Sequence, residues 1–181
     1  MPLGQLFRPS RLRDAAVVLY GAVVEQARTP AFFAAYGVPD TIDGRFELIA
    51  LHVFLVLNRL KAERARTAAF AQALFDTMFA DMDRALREMG VGDLAVGRHV
   101  KAMAQSFYGR VVAYEGGLAG SEPVLAEALA RNLYGTVEPL GDDIAAVALY
   151  VRGCAVALAA QPVDGLIEGA VRFAMLPERE R

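Results

Sequence analysis

The residues able to do chemistry are few and scattered. Asp76, Asp81, Asp83 and Glu88 fall in one stretch, residues 70–93, FAQALFDTMFADMDRALREMGVGD. Carboxylates this close can pair for general acid–base work. Here they alternate around a helical surface, and Asp83–Arg87 and Arg84–Glu88 stand four apart, the spacing of solvated ion pairs. His52 and His99 lie forty-seven residues apart and Cys154 is the sole thiol. Metal sites need clustered ligands, and HExxH is absent. GxSxG is absent too, so no nucleophile elbow is present. The glycine-rich run 90–97 contains GxG without a preceding strand, a third glycine or a Gly-Lys-Ser/Thr, so it reads as a connection between helices. These residues predict a chain that is not an enzyme and carries neither metal nor cofactor.

Helices must position whatever function remains. In residues 70–93, Phe70, Leu74, Phe75, Met78, Phe79, Met82, Leu86 and Met89 recur at steps of three and four, lining one face with rings and thioethers. The general tendency of such a stripe is plain core. Three of the chain's six methionines lie in it, and methionine-rich faces adapt to varied helical partners, which favours a groove. The spacing predicts a helix over 68–89, ended by Gly90 and Gly92.

Other helices are expected at 10–28, capped by Ser10; at 30–37; at 44–63, capped by Thr41 or Asp43; at 98–118; from 121 to about 135; and at 144–160, capped by Asp142 or Asp143. A last amphipathic turn or two is expected at 166–175. Residues 48–57 are apolar nearly all round, as in a helix central to a bundle. Arg45, His52 and Arg59 stand seven apart there, nearly in one line. His52 reads first as a hydrogen-bonded histidine at the core edge, and the line as a solvent seam. The sharper alternative is a cationic strip facing Asp76, Asp83 or a partner's carboxylates. Arg59, Lys61, Arg64 and Arg66 form a basic helix end, a weak pointer to RNA or ribosome contact. In the helix over 98–118, Gly109 belongs to a small-residue stripe with Ala102, Ser106, Ala113 and Gly116. An interior glycine costs about 1 kcal/mol against alanine, so a close helix neighbour is expected at Gly109, an internal helix ahead of a client's.

Composition sets the class. The chain has 181 residues, 55% of them hydrophobic, and a net charge of −2. One all-α domain of six to eight helices is expected, with apolar surface to spare and no field drawing it to nucleic acid. A single cysteine excludes an internal disulfide and fits a reducing compartment. The arginines at 8, 11 and 13 followed by AAVVLYGAVV superficially resemble a signal peptide. Asp14, together with Glu25, Gln26 and Arg28, argues instead for an ordinary first helix. Neither apolar maximum suits a membrane span, because 48–57 is short and Arg152 interrupts 144–160.

Two segments carry a resemblance. PDTIDGRFELIALHVFLVLNRL and ALFDTMFADMDRALREMGVGDLAVGRHVKAMAQSFYGR resemble the ubiquinol–cytochrome c chaperone family, with LREMGVGDL and FYGR the more specific parts. The chain lacks the long targeting extension of mitochondrial members and so resembles a bacterial one. The resemblance implies an all-helical assembly chaperone for respiratory complex III. It would bind newly made cytochrome b, shield its apolar segments without nucleotide or catalysis, and promote biogenesis of the bc1 complex. The organisation expected is a flexible N-terminus (1–9), a helical chaperone domain (10–176) and a solvated tail (177–181). The expected client-binding residues are Arg45, Phe46, His52, Phe75, Met78, Asp81, Met82, Arg87, Glu88, Asp93, Tyr108 and Arg110. A cytoplasmic location is expected, with the ribosome or the inner face of the plasma membrane as further contacts. The alternatives are a helical carrier of haem or lipid and a cryptic enzyme. An open apolar groove favours the chaperone, an enclosed cavity the carrier, and converged polar groups with perturbed pKa values the enzyme.

Overall fold

Residues 47–56 are buried without interruption, which makes their helix the axis of the fold. The computed structural model describes residues 9–177, apart from the side chains of Pro9 and Ser10. Among the described residues the elements are α1 (Pro9–Ala27), α2 (Ala31–Ala34), α3 (Ile42–Lys61), α4 (Arg64–Glu88), α5 (Asp93–Ala119), α6 (Glu122–Asn132), α7 (Gly141–Ala159) and α8 (Val163–Ile167). The fold is all α and forms a single helical domain. α3 packs against α1, α4, α5 and α7, while α1 also meets α4 and α6 bridges α5 to α7. The stretch surrounded in this way has no solvent face to reserve for polar residues, which explains why 48–57 is apolar nearly all round. Its start is set by Thr41, whose hydroxyl accepts from the Gly44 N–H at 3.1 Å.

Several expected features differ in the structure. α1 begins at Pro9, ahead of Ser10, whose side chain is outside the described residues, as are residues 1–8 and 178–181. α5 begins at Asp93, five residues before the expected start, so 93–97 is helix rather than turn. Asp93 in the first turn complements the helix dipole, and the reversal is confined to Gly90, at φ +83°. α7 begins at Gly141, which puts Asp142 and Asp143 in its first turn instead of at its cap. α8 stops at Ile167, and residues 170–177 run on without helix. The Gln161 side chain holds that segment: its Nε2 donates to the Arg172 carbonyl at 2.7 Å and its Oε1 accepts from the Arg172 N–H at 2.8 Å. At Pro177, the first residue of the expected solvated tail, the carbonyl accepts a hydrogen bond from Tyr36.

The close approach expected at Gly109 occurs elsewhere. A Cβ at Gly109 would meet nothing within 4 Å, whereas one at Gly117 would fall 2.8 Å from Leu125 Cα. α5 and α6 therefore cross at Gly117, where any side chain would force the backbones apart.

The seam of Arg45, His52 and Arg59 breaks up into three unrelated roles. His52 is wholly buried. Its Nδ1–H donates to the Leu48 carbonyl at 2.7 Å, which leaves Nε2 to accept from the Tyr150 hydroxyl at 2.8 Å. Gln26 donates to that same hydroxyl at 3.0 Å. Burial pushes the His52 pKa down to about 4, against the opposing pull of the Leu48 carbonyl. The ring is neutral near pH 7, so no cationic strip exists here. Arg59 donates to the carbonyls of Leu158 and Gln161 at 3.0 and 2.9 Å and pairs with Glu63, closing the C-terminal end of α7. Arg45 is exposed and pairs with Asp40 at 2.7 Å.

Candidate functional site

A cleft of about 890 Å³ opens to solvent between the N-terminal part of α3, the C-terminal part of α4, the middle of α5 and the end of α6. It follows from helix lengths. α4 and α5 are long and joined by a tight turn, while α6 is short, packs on α5 and α7, and lines the cleft only with its C-terminal end. The apolar lining includes Phe46, Ile49, Met82, Leu86, Met89 and Met103. Three methionines thus face one opening, and Met89 is 49% exposed. Charged side chains stand around it: Arg28, Asp43, Arg45, Asp81, Arg84, Glu88 and Arg131.

One charged pair belongs to the wall itself. Glu47 on α3 and Arg110 on α5 form a two-pronged ion pair, with Nε donating to Oε2 at 2.5 Å and Nη2 donating to Oε1. Their side chains are only 10% and 14% exposed. Arg110 also donates to the Ser106 hydroxyl, and its guanidinium lies 5.7 Å from the centre of the Phe46 ring. Burial pushes the Glu47 carboxyl above its ordinary range, and Arg110 draws it only part of the way back. Burial alone would lower the Arg110 pKa, yet its bonds to Glu47 leave it above its ordinary value. Nearby, the Tyr114 hydroxyl is fully buried without a hydrogen-bond partner.

The expected binding residues divide between the cleft and elsewhere. Arg45, Phe46, Asp81, Met82, Glu88 and Arg110 line the cleft. Asp81 is held there by the Tyr20 hydroxyl, which donates to it at 2.8 Å, and by Arg84. His52 and Met78 lie in the core at 0% exposure, with no surface to offer a client. Met78 points between α4 and its neighbours because it continues the Phe70–Leu74 row, one helical turn further on. Phe75 and Tyr108 pack together 5.7 Å apart beside Phe79 and Phe107, on the α4–α5 contact away from the cleft. Arg87 joins Asp83 and Asp93 at the exposed α4–α5 turn. The Asp83–Arg87 and Arg84–Glu88 pairs form at 2.6 and 3.9 Å, as their spacing predicts.

Sequence reasoning missed Glu47, Met89, Met103 and Arg131. For Glu47 a signal existed: a lone carboxylate at the head of an apolar helix run needs a partner if the helix is central. Cys154 is a buried free thiol, as its apolar helix implied, and burial raises its pKa. Among the described residues no three His, Cys, Asp or Glu side chains gather to hold a metal, and no helix is long and apolar enough to cross a membrane.

The site is thus an open apolar cleft with charges around its mouth in an all-helical domain, and comparison with known proteins places the domain in a family. The chain belongs to the ubiquinol-cytochrome C chaperone family, whose model matches residues 34–173. It is 28% identical over 123 residues to the ubiquinol-cytochrome-c reductase complex assembly factor 1 of Xenopus laevis, covering 68% of this chain and 62% of that protein. With its Homo sapiens counterpart it shares 27% identity over 124 residues, 68% of this chain and 42% of that one. The chain thus spans less than two thirds of the length of these curated relatives. The crystal structure of the Cbp3 homolog from Brucella abortus superposes with a TM-score of 0.83 at 35% identity, covering 97% of this chain and 98% of that one.

Proposed function

We propose that this protein is an assembly chaperone for the ubiquinol–cytochrome c reductase complex, and that it holds newly made cytochrome b in the α3–α4–α5–α6 cleft without catalysis. The observation that carries this reading is the open, methionine-lined cleft with charges along its rim. Cytochrome b supplies transmembrane helices whose apolar faces need cover in water. Methionine side chains repack at little cost, so one wall can receive several different helix faces. Rim charges orient such a segment more than they add affinity. The cleft volume lies within the range of small-molecule sites, but an open side lets a segment longer than the cleft lie across it. The protein would act in the cytoplasm, with the ribosome or the inner face of the plasma membrane as the place of handover.

The test is capture of cytochrome b by tagged protein from detergent-solubilised cells, for the wild-type chain and the variant Met89→Ser/Met103→Ser. Met89 is exposed and Met103 half-buried, so the double variant should lose only about 1–2 kcal/mol of stability while capture falls severely. A folded double variant that captures cytochrome b as well as wild type would remove the cleft from the mechanism. Haem or lipid eluting with the protein in place of cytochrome b would favour a carrier.

A further inference from the structure

Two features of the cleft wall do not fit a resting scaffold. Arg110 is a strong donor facing an apolar cleft, but its charge is spent on Glu47 within the wall. A permanent tie between α3 and α5 would need no opening onto the cleft. The second feature is the Tyr114 hydroxyl, one helical turn beyond Arg110 on α5. It is buried with no partner, a state that costs about 1–3 kcal/mol and is rare in native proteins. Tyr114 lies within electrostatic reach of both Glu47 and Arg110. A carboxylate has room for more donors than the two that Arg110 gives Glu47.

The uncommitted charge around the opening also has a sign. Arg45 is paired with Asp40, and Arg84 with Asp81 and Glu88. Among the described residues Arg28 and Arg131 line the cleft and enter no ion pair, and of the cleft carboxylates only Asp43 shares that condition. The free surplus is therefore cationic, which suits a segment carrying a carboxylate.

We propose that Glu47, Arg110 and Tyr114 form an exchange switch that selects a client helix bearing a carboxylate. In the empty protein Glu47 holds Arg110. When an apolar segment with an Asp or Glu side chain enters, its carboxylate takes the Arg110 fork, and Glu47 turns to accept from the Tyr114 hydroxyl. At the end of the exchange Arg110 is paired with the client's carboxylate, and Glu47, having taken up a proton from solvent, is neutral and hydrogen-bonded to the Tyr114 hydroxyl, which gains the partner it lacked. Glu47 works here as a built-in stand-in for the client's acid. A segment without a carboxylate leaves the pair closed and meets only the methionine wall. Arg110 is thus a specificity-determining residue, and Tyr114 a positioning residue that acts through Glu47. This inference rests on the reading of the cleft as the client site.

Two Leu/Ala-rich helical peptides, identical except for one central Glu or Gln, provide the probe. Wild-type protein should bind the Glu peptide at least about tenfold more tightly, the worth of one exchanged charge-assisted hydrogen bond. Tyr114→Phe should reduce that preference to about twofold or less, with binding of the Gln peptide unchanged. Its melting temperature should hold or rise, since the variant removes an unsatisfied hydroxyl. A purely structural Tyr114 would leave the Glu/Gln preference intact. The first comparison needs only the wild-type chain, so it stands whatever the variant does. Equal binding of the two peptides by wild type overturns the switch and leaves the cleft reading standing. A full preference retained by a folded Tyr114→Phe also overturns it. Binding of neither peptide by wild type overturns both the switch and the cleft reading.

Discussion

Arg110→Met tests whether the cleft wall is held as its geometry indicates. The substitution keeps much of the aliphatic stem over Phe46 and removes both bonds to Glu47, a side chain only 10% exposed. Stranding one member of a buried pair costs about 3–5 kcal/mol. The cleft admits water to this wall, so the low end, about 3 kcal/mol at neutral pH, is expected. The pH dependence then has a fixed sign. The ordinary glutamate value is 4.5, and burial already holds Glu47 above it, with Arg110 pulling back. Without Arg110 the folded value rises further. Between the unfolded and folded values the native state holds the extra proton, so stability is fully present below about 4.5 and is lost as pH rises through the folded value. The deficit of Arg110→Met relative to wild type should therefore be smaller at pH 5 than at pH 8. Glu47→Gln/Arg110→Met should lose this pH dependence and recover stability, giving a coupling of about 2 kcal/mol at pH 8. Urea unfolding followed by circular dichroism at both pH values measures wild type, Arg110→Met, Glu47→Gln and the double variant. A deficit under about 1 kcal/mol at pH 8, or one equal at both pH values, would refute the argument that this pair is effectively buried.

Three further outcomes are expected. Met78→Ser should lower stability by at least about 2–5 kcal/mol, since it empties a fully buried site; a melting temperature equal to wild type would show that the α4 stripe is not core. His52, with its pKa pushed from 6.5 to about 4, should cost stability as pH falls below 6.5, because the unfolded chain takes up the proton first. The loss grows towards about 3 kcal/mol by pH 4, and His52→Gln should flatten that part of the stability–pH curve; an unchanged acid limb in the variant counts against it. Gly109→Ala should raise stability by about 1 kcal/mol, while Gly117→Ala, whose Cβ would meet Leu125 Cα at 2.8 Å, should lower it by about 1–3 kcal/mol. Thermal melts of the two variants in the opposite order would displace the α5–α6 crossing from Gly117.

Local chemistry by itself determined the helices, the central place of α3 and the surface ion pairs. The 3.6-residue period of 70–89, the all-round apolarity of 48–57 and the four-residue spacing of Asp83 and Arg87 are properties of adjacent turns, and they appear in the structure at those places. The family was legible as well, through segments that lie on α3, α4 and α5. Helix boundaries were less so: Gly97 suggested a turn, but a single glycine costs too little to stop a helix that Asp93 has already started.

Only the tertiary structure decided which apolar residues are surplus. Met78 and Met89 look alike in sequence, both on one methionine stripe, yet one is wholly buried and the other half open. The difference depends on what packs against each turn of α4, Met78 lying within it and Met89 at its C-terminal cap, and no spacing within α4 carries that information. The same holds for Glu47 and Arg110, sixty-three residues apart, and for His52, whose charge is removed by burial that its neighbours in the chain do not reveal. Periodicity shows which face of a helix is apolar; what covers that face depends on the lengths and crossing points of other helices, and those are set by packing across the whole domain.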